Sequence, residues 1–261
     1  MMTTIKKHIS YSELKDWNTC PHYHKKNWIE KVASFEGNEY TAFGTAIHDV
    51  CEKKLLKEEI NEQELFQLSF AKKIQELLDK NIKFNAKNVY DMKTAGPAIL
   101  AEVEDALGDY FGEYEVYSSE ESLYEEIENF GLYFKGFVDA VVKVGDTYHL
   151  FDWKTCSWGW DSRKKSEKIV TYQLTLYKHF FCQKHGIDPE KVETHFALLK
   201  RTAKKDRVEI FRVTSGPKKT ENALKLLYQA IYNIQKGFTI KNKLSCTKPF
   251  RCSLYKTEHC R

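Results

Sequence analysis

The chain has 261 residues, 42% of them hydrophobic and 14% aromatic, enough to fill the core of one large domain. Charged residues make up 30%, and no run approaches the roughly 18–20 apolar residues of a membrane helix, so no membrane partner is expected. The net charge of +4 falls short of a strongly basic DNA-packaging protein, and without an apolar export signal at the N-terminus the expected location is cytoplasmic.

The first 115 residues read as mostly helical. Ser10 and Glu13 have capping-box spacing and open a helix carrying Leu14 and Trp17, which Pro21 interrupts or restarts. Apolar residues at 46, 47, 50, 51 and 55 give a helix over 44–59. Further helices fit 61–82 and 97–115, the last opening at Pro97. The texture then changes. Residues 120–155 read as strands, with Gly145-Asp146 as the hairpin turn between the last two. A helix follows, ending at Gly186. Then come two strands, 191–201 and 207–214, and an amphipathic helix ending at Gly237. The expected architecture is α/β: a central mixed sheet flanked by helices, an N-terminal helical region and a cysteine-bearing tail. One domain spans 1–261, with a mainly helical part over 1–115, a sheet core over 116–215, and the last helix and tail over 216–261.

Three charges break the apolar pattern of that hairpin. Asp139 interrupts its first strand, and Asp152 and Lys154 its second. Counting back from the turn puts Asp139 opposite roughly Asp152, and residues two apart on a strand share a face. Two carboxylates and an ammonium on a half-buried sheet are costly without a partner. A divalent cation such as Mg²⁺, which takes hard oxygen ligands and keeps several waters, supplies one.

These residues, GFVD and FDWKT, resemble the core of the PD-(D/E)xK nuclease superfamily. GTAIHDVCE, YQLTLY and CPHYHKK are similar to further motifs of its RecB-type, CRISPR-associated-type exonuclease branch, and they stand in that branch's order. The resemblance covers about 20–260 and implies a restriction-endonuclease-like fold. It implies Mg²⁺ or Mn²⁺ held by His48, Asp139, Asp152 and the Trp153 carbonyl, with Lys154 positioning the attacking water. Gln173 would orient Lys154 or the DNA, and Tyr177 would support the site or the phosphate. A further acidic residue often precedes the central strand; of Glu120, Glu121, Glu125 and Glu126, Glu121 is the choice.

The odd count of seven cysteines argues against a disulfide framework. Cys20 and the trio Cys246, Cys252 and Cys260 could bring the two ends of the chain together. In the resembled branch, four such thiolates hold a [4Fe–4S] cluster. The gaps here, five residues and then seven, are longer than the branch's usual run, and zinc on the same thiolates or free thiols are the alternatives. Two basic clusters, one with Arg163, Lys164 and Lys165 and the other with Lys200 and Arg201, read as solvated loops or as contacts to DNA phosphates. Trp158 and Trp160 read as loop anchors or as stacking platforms for unpaired bases. The expected function is a metal-dependent deoxyribonuclease, an exonuclease of recombination, repair or replication. The rivals are a catalytically inactive DNA clamp and a structure-specific endonuclease. No G-x-x-x-x-G-K-[ST] motif is present, so any motor would belong to a partner: a separate helicase, recombinase or single-strand-binding protein.

Overall fold

In the computed structural model, residues 7–32, 36–247 and 252–260 are described. Contacts divide the chain into two compact units. One comprises 36–122 and 137–215; the other comprises 1–35, 123–136 and 216–261.

The first unit carries the sheet. Strand β3 (Leu132–Val144), whose second half belongs here, pairs antiparallel with β4 (Thr147–Cys156), with Val144 opposite Thr147 and Ala140 opposite Phe151. The two-residue turn is possible because Gly145 takes a φ of +55°, where a side chain would be strained. Strand β5 (Val192–Lys200) lies parallel to β4, and β6 (Val208–Arg212) antiparallel to β5. The sheet is therefore mixed, as its sequence pattern predicts. A parallel neighbour requires a crossover. Here it is α7 (Ser162–Ser166) followed by α8 (Lys168–His185).

Four helices precede the sheet: α3 (Glu39–Leu55), α4 (Glu62–Asp79), α5 (Ala86–Leu100) and α6 (Val103–Phe111). Each of the first three opens at an asparagine, Asn38, Asn61 or Asn85, whose side chain accepts from backbone N–H groups of the first turn. Two sequence boundaries need correction here. The second expected helix starts at Asn38, not Gly44. Pro97 does not open a helix but lies in the last turns of α5, because the cap at Asn85 starts that helix a dozen residues earlier. Gly96 permits the close approach of α4: a Cβ there would fall 2.2 Å from the Phe66 ring. The core beneath joins Phe43, Ile47 and Val50 of α3 to Phe66, Phe70, Phe151 and Trp153.

In the second unit, a short strand β1 (His8–Ser10) runs parallel to the start of β3, with Ile9 opposite Phe134. Three residues are too few to show a pattern, and sequence reasoning missed this strand. Ser10 caps α1 (Tyr11–Thr19), and Pro21 restarts the chain as the first residue of α2 (Pro21–His24). Buried Glu13 and His24 join the two helices at 2.8 Å. The long helix α9 (Pro217–Gln235) buries Ala223, Leu227, Ala230 and Ile231. Strand β2 (Glu115–Ile127), which pairs with β3, has residues in both units. None of the described helices is long and apolar enough to cross a membrane.

Candidate active site

The hairpin register brings Asp139 and Asp152 across from one another, since Ala140 pairs with Phe151. The Trp153 backbone N–H donates to Asp139 Oδ2 at 2.7 Å, which fixes that carboxylate against β4. Alternation then decides the faces. Phe151 and Trp153 go into the core under α3, while Asp152 and Lys154 turn the other way, toward α8.

Asp152 is 2% exposed. Its Oδ1 accepts from Gln173 Nε2 at 2.6 Å, and the same Gln173 nitrogen donates to Tyr177 Oη at 3.2 Å, one turn further along α8. Lys154 Nζ lies 2.5 Å from Oδ2, yet not in hydrogen-bonding geometry, so Oδ2 is a buried oxygen with charge nearby and no directed donor. Burial first, and then the charge of Asp152, holds the Asp139 carboxyl well above its usual range, with Lys154 acting against them. On α3, His48 Nδ1 stands 3.7 Å from Asp139 Oδ2, and its imidazole meets the Trp153 carbonyl. Burial pushes His48 below the ordinary histidine value, so its lone pair is available near neutral pH.

This donor set suits a hard divalent cation. Two carboxylates, a backbone carbonyl and an imidazole lie near one another, with Lys154 beside an Oδ2 that has no directed donor and an Asp139 whose carboxyl is reluctant to ionise. The ligand atoms of His48, Asp139 and Asp152 do not all lie within 4.8 Å of one another.

The acid chosen from the sequence does not take part. Glu121 is held at 2.7 Å by Lys184 and 2.9 Å by His185. Its neighbour Glu120, in the left-handed region at φ +48°, adds its charge to that on Asp139 and on Glu52, one turn after His48 on α3.

The basic residues follow Lys154 at the same end of β4 and β5, where Cys156 pairs with Lys200. Several are already engaged. Lys165 bonds Glu209, Lys200 lies 3.6 Å from Glu209, Lys164 sits over the Trp160 ring, and Arg201 stacks on Tyr40 and donates to Ser157 at 3.1 Å. Arg163 is exposed. The two tryptophans part company: Trp160 packs on Phe196 as an anchor, while Trp158 is 78% exposed.

In the other unit, the four cysteines chosen from the sequence are close enough to feel one another's charge, but no three of their sulfurs lie within 4.8 Å of one another. Burial and the neighbouring Cys260, Cys252 and Cys20 all push the Cys246 thiol up. The Asn242 N–H donates to Cys20 Sγ at 3.4 Å, and Cys252 N–H to the Cys246 carbonyl at 3.0 Å. All seven cysteines are free of disulfides. Four free thiols in one unit are the donor type that a Cys₄ metal centre uses.

The comparisons bear on the family and the fold. The family described as the PD-(D/E)XK nuclease superfamily matches residues 8–255. No curated protein matches the sequence. Among solved structures, a candidate exonuclease from Eubacterium rectale shares 14% identity, with 88% of this chain and 82% of that chain covered, at a TM-score of 0.59. That likeness is one of fold. A second structure, SSO0001, is 13% identical over 76% of this chain and 88% of that one, at a TM-score of 0.35.

Proposed function

Since the chain belongs to the PD-(D/E)XK nuclease superfamily, whose members use divalent metals, we propose that it is a Mg²⁺- or Mn²⁺-dependent deoxyribonuclease that degrades DNA from its ends. The observation that carries this reading is the pairing of Asp139 with Asp152 around an oxygen that lacks a directed donor, with Lys154 beside it. Asp139, Asp152, the Trp153 carbonyl and His48 hold the cation. When bound, it polarises a phosphate and makes water more acidic. Lys154 orients the attacking water and meets charge developing on the phosphate. The water oxygen bonds to phosphorus and the sugar oxygen leaves with a proton. Gln173 and Tyr177 hold Asp152 in place. Arg163 and its basic neighbours track the DNA backbone, and exposed Trp158 offers a face on which an unpaired base can stack. The likeness in fold to a candidate exonuclease favours attack from an end. With no motor motif, the enzyme would act on DNA opened by a helicase, recombinase or single-strand-binding partner, in recombination, repair or replication.

The test is degradation of linear end-labelled and covalently closed circular DNA, by wild type and Asp152→Ala, with Mg²⁺, Mn²⁺ or chelator. Loss of label from linear DNA alone, only for wild type with metal, is expected. Nicking of the circle would make the enzyme an endonuclease. Binding without cleavage under any metal would make it a clamp.

The four thiols of the other unit belong to the same proposal as ligands of a [4Fe–4S] cluster that pins the tail to α1 and α2. Protein prepared without oxygen should carry iron, sulfide and a broad visible absorbance, and Cys252→Ser should lose all three. Zinc without iron or sulfide would replace the cluster by a structural ion, and no metal at all would leave free thiols.

A further inference from the structure

Among the described residues, the set of ligand atoms drawn within 4.8 Å of one another is not the carboxylate pair but His149, Glu193 and His195. Strand geometry assembles it. The parallel register sets His149 of β4 beside Glu193 of β5, and Phe151 beside His195. Glu193 and His195 are two apart, so they share a face, the one His149 also presents. Asp152, three residues after His149, presents the opposite face, roughly 10 Å along the strand.

The atoms converge closely. His149 Nδ1 and His195 Nε2 are 3.0 Å apart, and Glu193 Oε2 lies 3.8 Å from the first and 3.9 Å from the second. Ligands on a tetrahedral zinc with bonds near 2.0 Å stand about 3.3 Å apart, so these separations bracket what such an ion needs. Hydrogen bonds account for only part of the cluster. The imidazoles can share one proton, but Oε2 is too far from either nitrogen to accept a hydrogen bond. The far ends of His195 and Glu193 are fixed from behind. Tyr110 Oη of α6 meets His195 Nδ1 at 3.3 Å, and Arg212 of β6 holds Glu193 Oε1 at 2.8 Å, which aims Oε2 at the imidazoles. Such outer contacts orient metal-binding histidines and carboxylates. His195 is 1% exposed and His149 and Glu193 are half-buried, so the cluster is sheltered yet reachable.

We propose that His149, Glu193 and His195 form a second metal site, for Zn²⁺ or a similar transition ion, which ties β4 to β5 under α6 and takes no part in phosphate chemistry. Two nitrogens and one carboxylate oxygen select a borderline ion over Mg²⁺, which prefers oxygen throughout. A neutral imidazole offers one ring nitrogen's lone pair to a metal. Loading moves protons without losing them. His195 carries its proton on Nδ1, donated to Tyr110 Oη, and frees Nε2; His149 carries its own on Nε2 and frees Nδ1. Water or a fourth donor completes the shell, and no oxidant or reductant is involved.

Full-length protein stripped of metal and dialysed against buffered Zn²⁺ tests this by metal count per chain and by melting temperature. His149→Gln and Glu193→Gln should each bind one equivalent less than wild type and lose the zinc-dependent rise in melting temperature. Asp152→Asn and Cys252→Ser, which report the other two centres, should keep that equivalent. Folded His149→Gln and Glu193→Gln that bind as much zinc as wild type would overturn the proposal. Should His149→Gln fail to fold, Glu193→Gln decides alone. The readout is metal binding, so it stands whether or not the nuclease reading survives.

Discussion

On one face of β4, Asp152 and Lys154 meet Asp139 across the hairpin; on the other, His149 meets Glu193 and His195 across a parallel pair. The first cluster is built from carboxylates on strands that leave one oxygen without a directed donor and one carboxyl reluctant to ionise. The second is built from neutral rings that share a proton and are backed by Tyr110 and Arg212. Thus one strand buries polar groups in two ways. Where acidity accumulates, the fold itself calls for a cation. Where imidazoles pair, the fold is coherent already and a cation enters by rearranging protons.

The largest effect expected from the supporting residues falls on the carboxylate face. Gln173→Ala removes the donor that orients Asp152, and loss of such an outer contact costs roughly 10–100-fold in activity or metal affinity. Gln173→Glu, which adds a third negative charge, should do worse. Nuclease rates across metal concentrations read both. Unchanged rates in Gln173→Ala would remove α8 from the site and leave the two faces less different than described.

A smaller effect concerns stability in chelator. The Asp139 carboxyl ionises at higher pH folded than unfolded, where it would titrate near about 3.9. The folded state therefore binds the proton more tightly. Its contribution to stability is present below the unfolded value and is lost as pH rises through the folded one. Metal-free wild type should thus lose stability across that window relative to Asp139→Asn, and Mg²⁺ should restore wild type but not the variant. Denaturant midpoints across the pH range measure this. Parallel profiles for the two proteins would show that Asp139 is at ease without a cation, and the contrast between the faces would collapse.

The hairpin was legible because Gly145-Asp146 fixes its register, and the register alone sets Asp139 against Asp152. The helices were legible from apolar spacing, but their starts were not where an asparagine cap stood outside the apolar run, as at Asn38 and Asn85. Pro97 misled because a proline usually begins a helix, whereas here it sits in the final turns of one. Strand β1 was hidden by its brevity. Nothing in the sequence separated Glu121 from Glu120, Glu125 and Glu126, and the positive φ of Glu120 is not visible in it. The histidine cluster escaped notice for a different reason. Glu193-x-His195 carries metal-ligand spacing, but its third member is 44 residues away, and only strand pairing brings it near. What sequence shows poorly is partnership across a sheet when no tight turn announces it.

The unit formed by α1, α2 and α9 has a consequence for synthesis. The thiol of Cys20 donates to the carbonyl of Ile240, so the first helices share a contact with residues made 220 positions later. The sheet unit ends at 215 and can pack while the ribosome is still working. At about 5–20 residues per second, α1 and α2 wait ten seconds or more for α9 and the tail. During that interval the emerging protein holds the residues of its candidate active site before the cysteine-bearing unit can close.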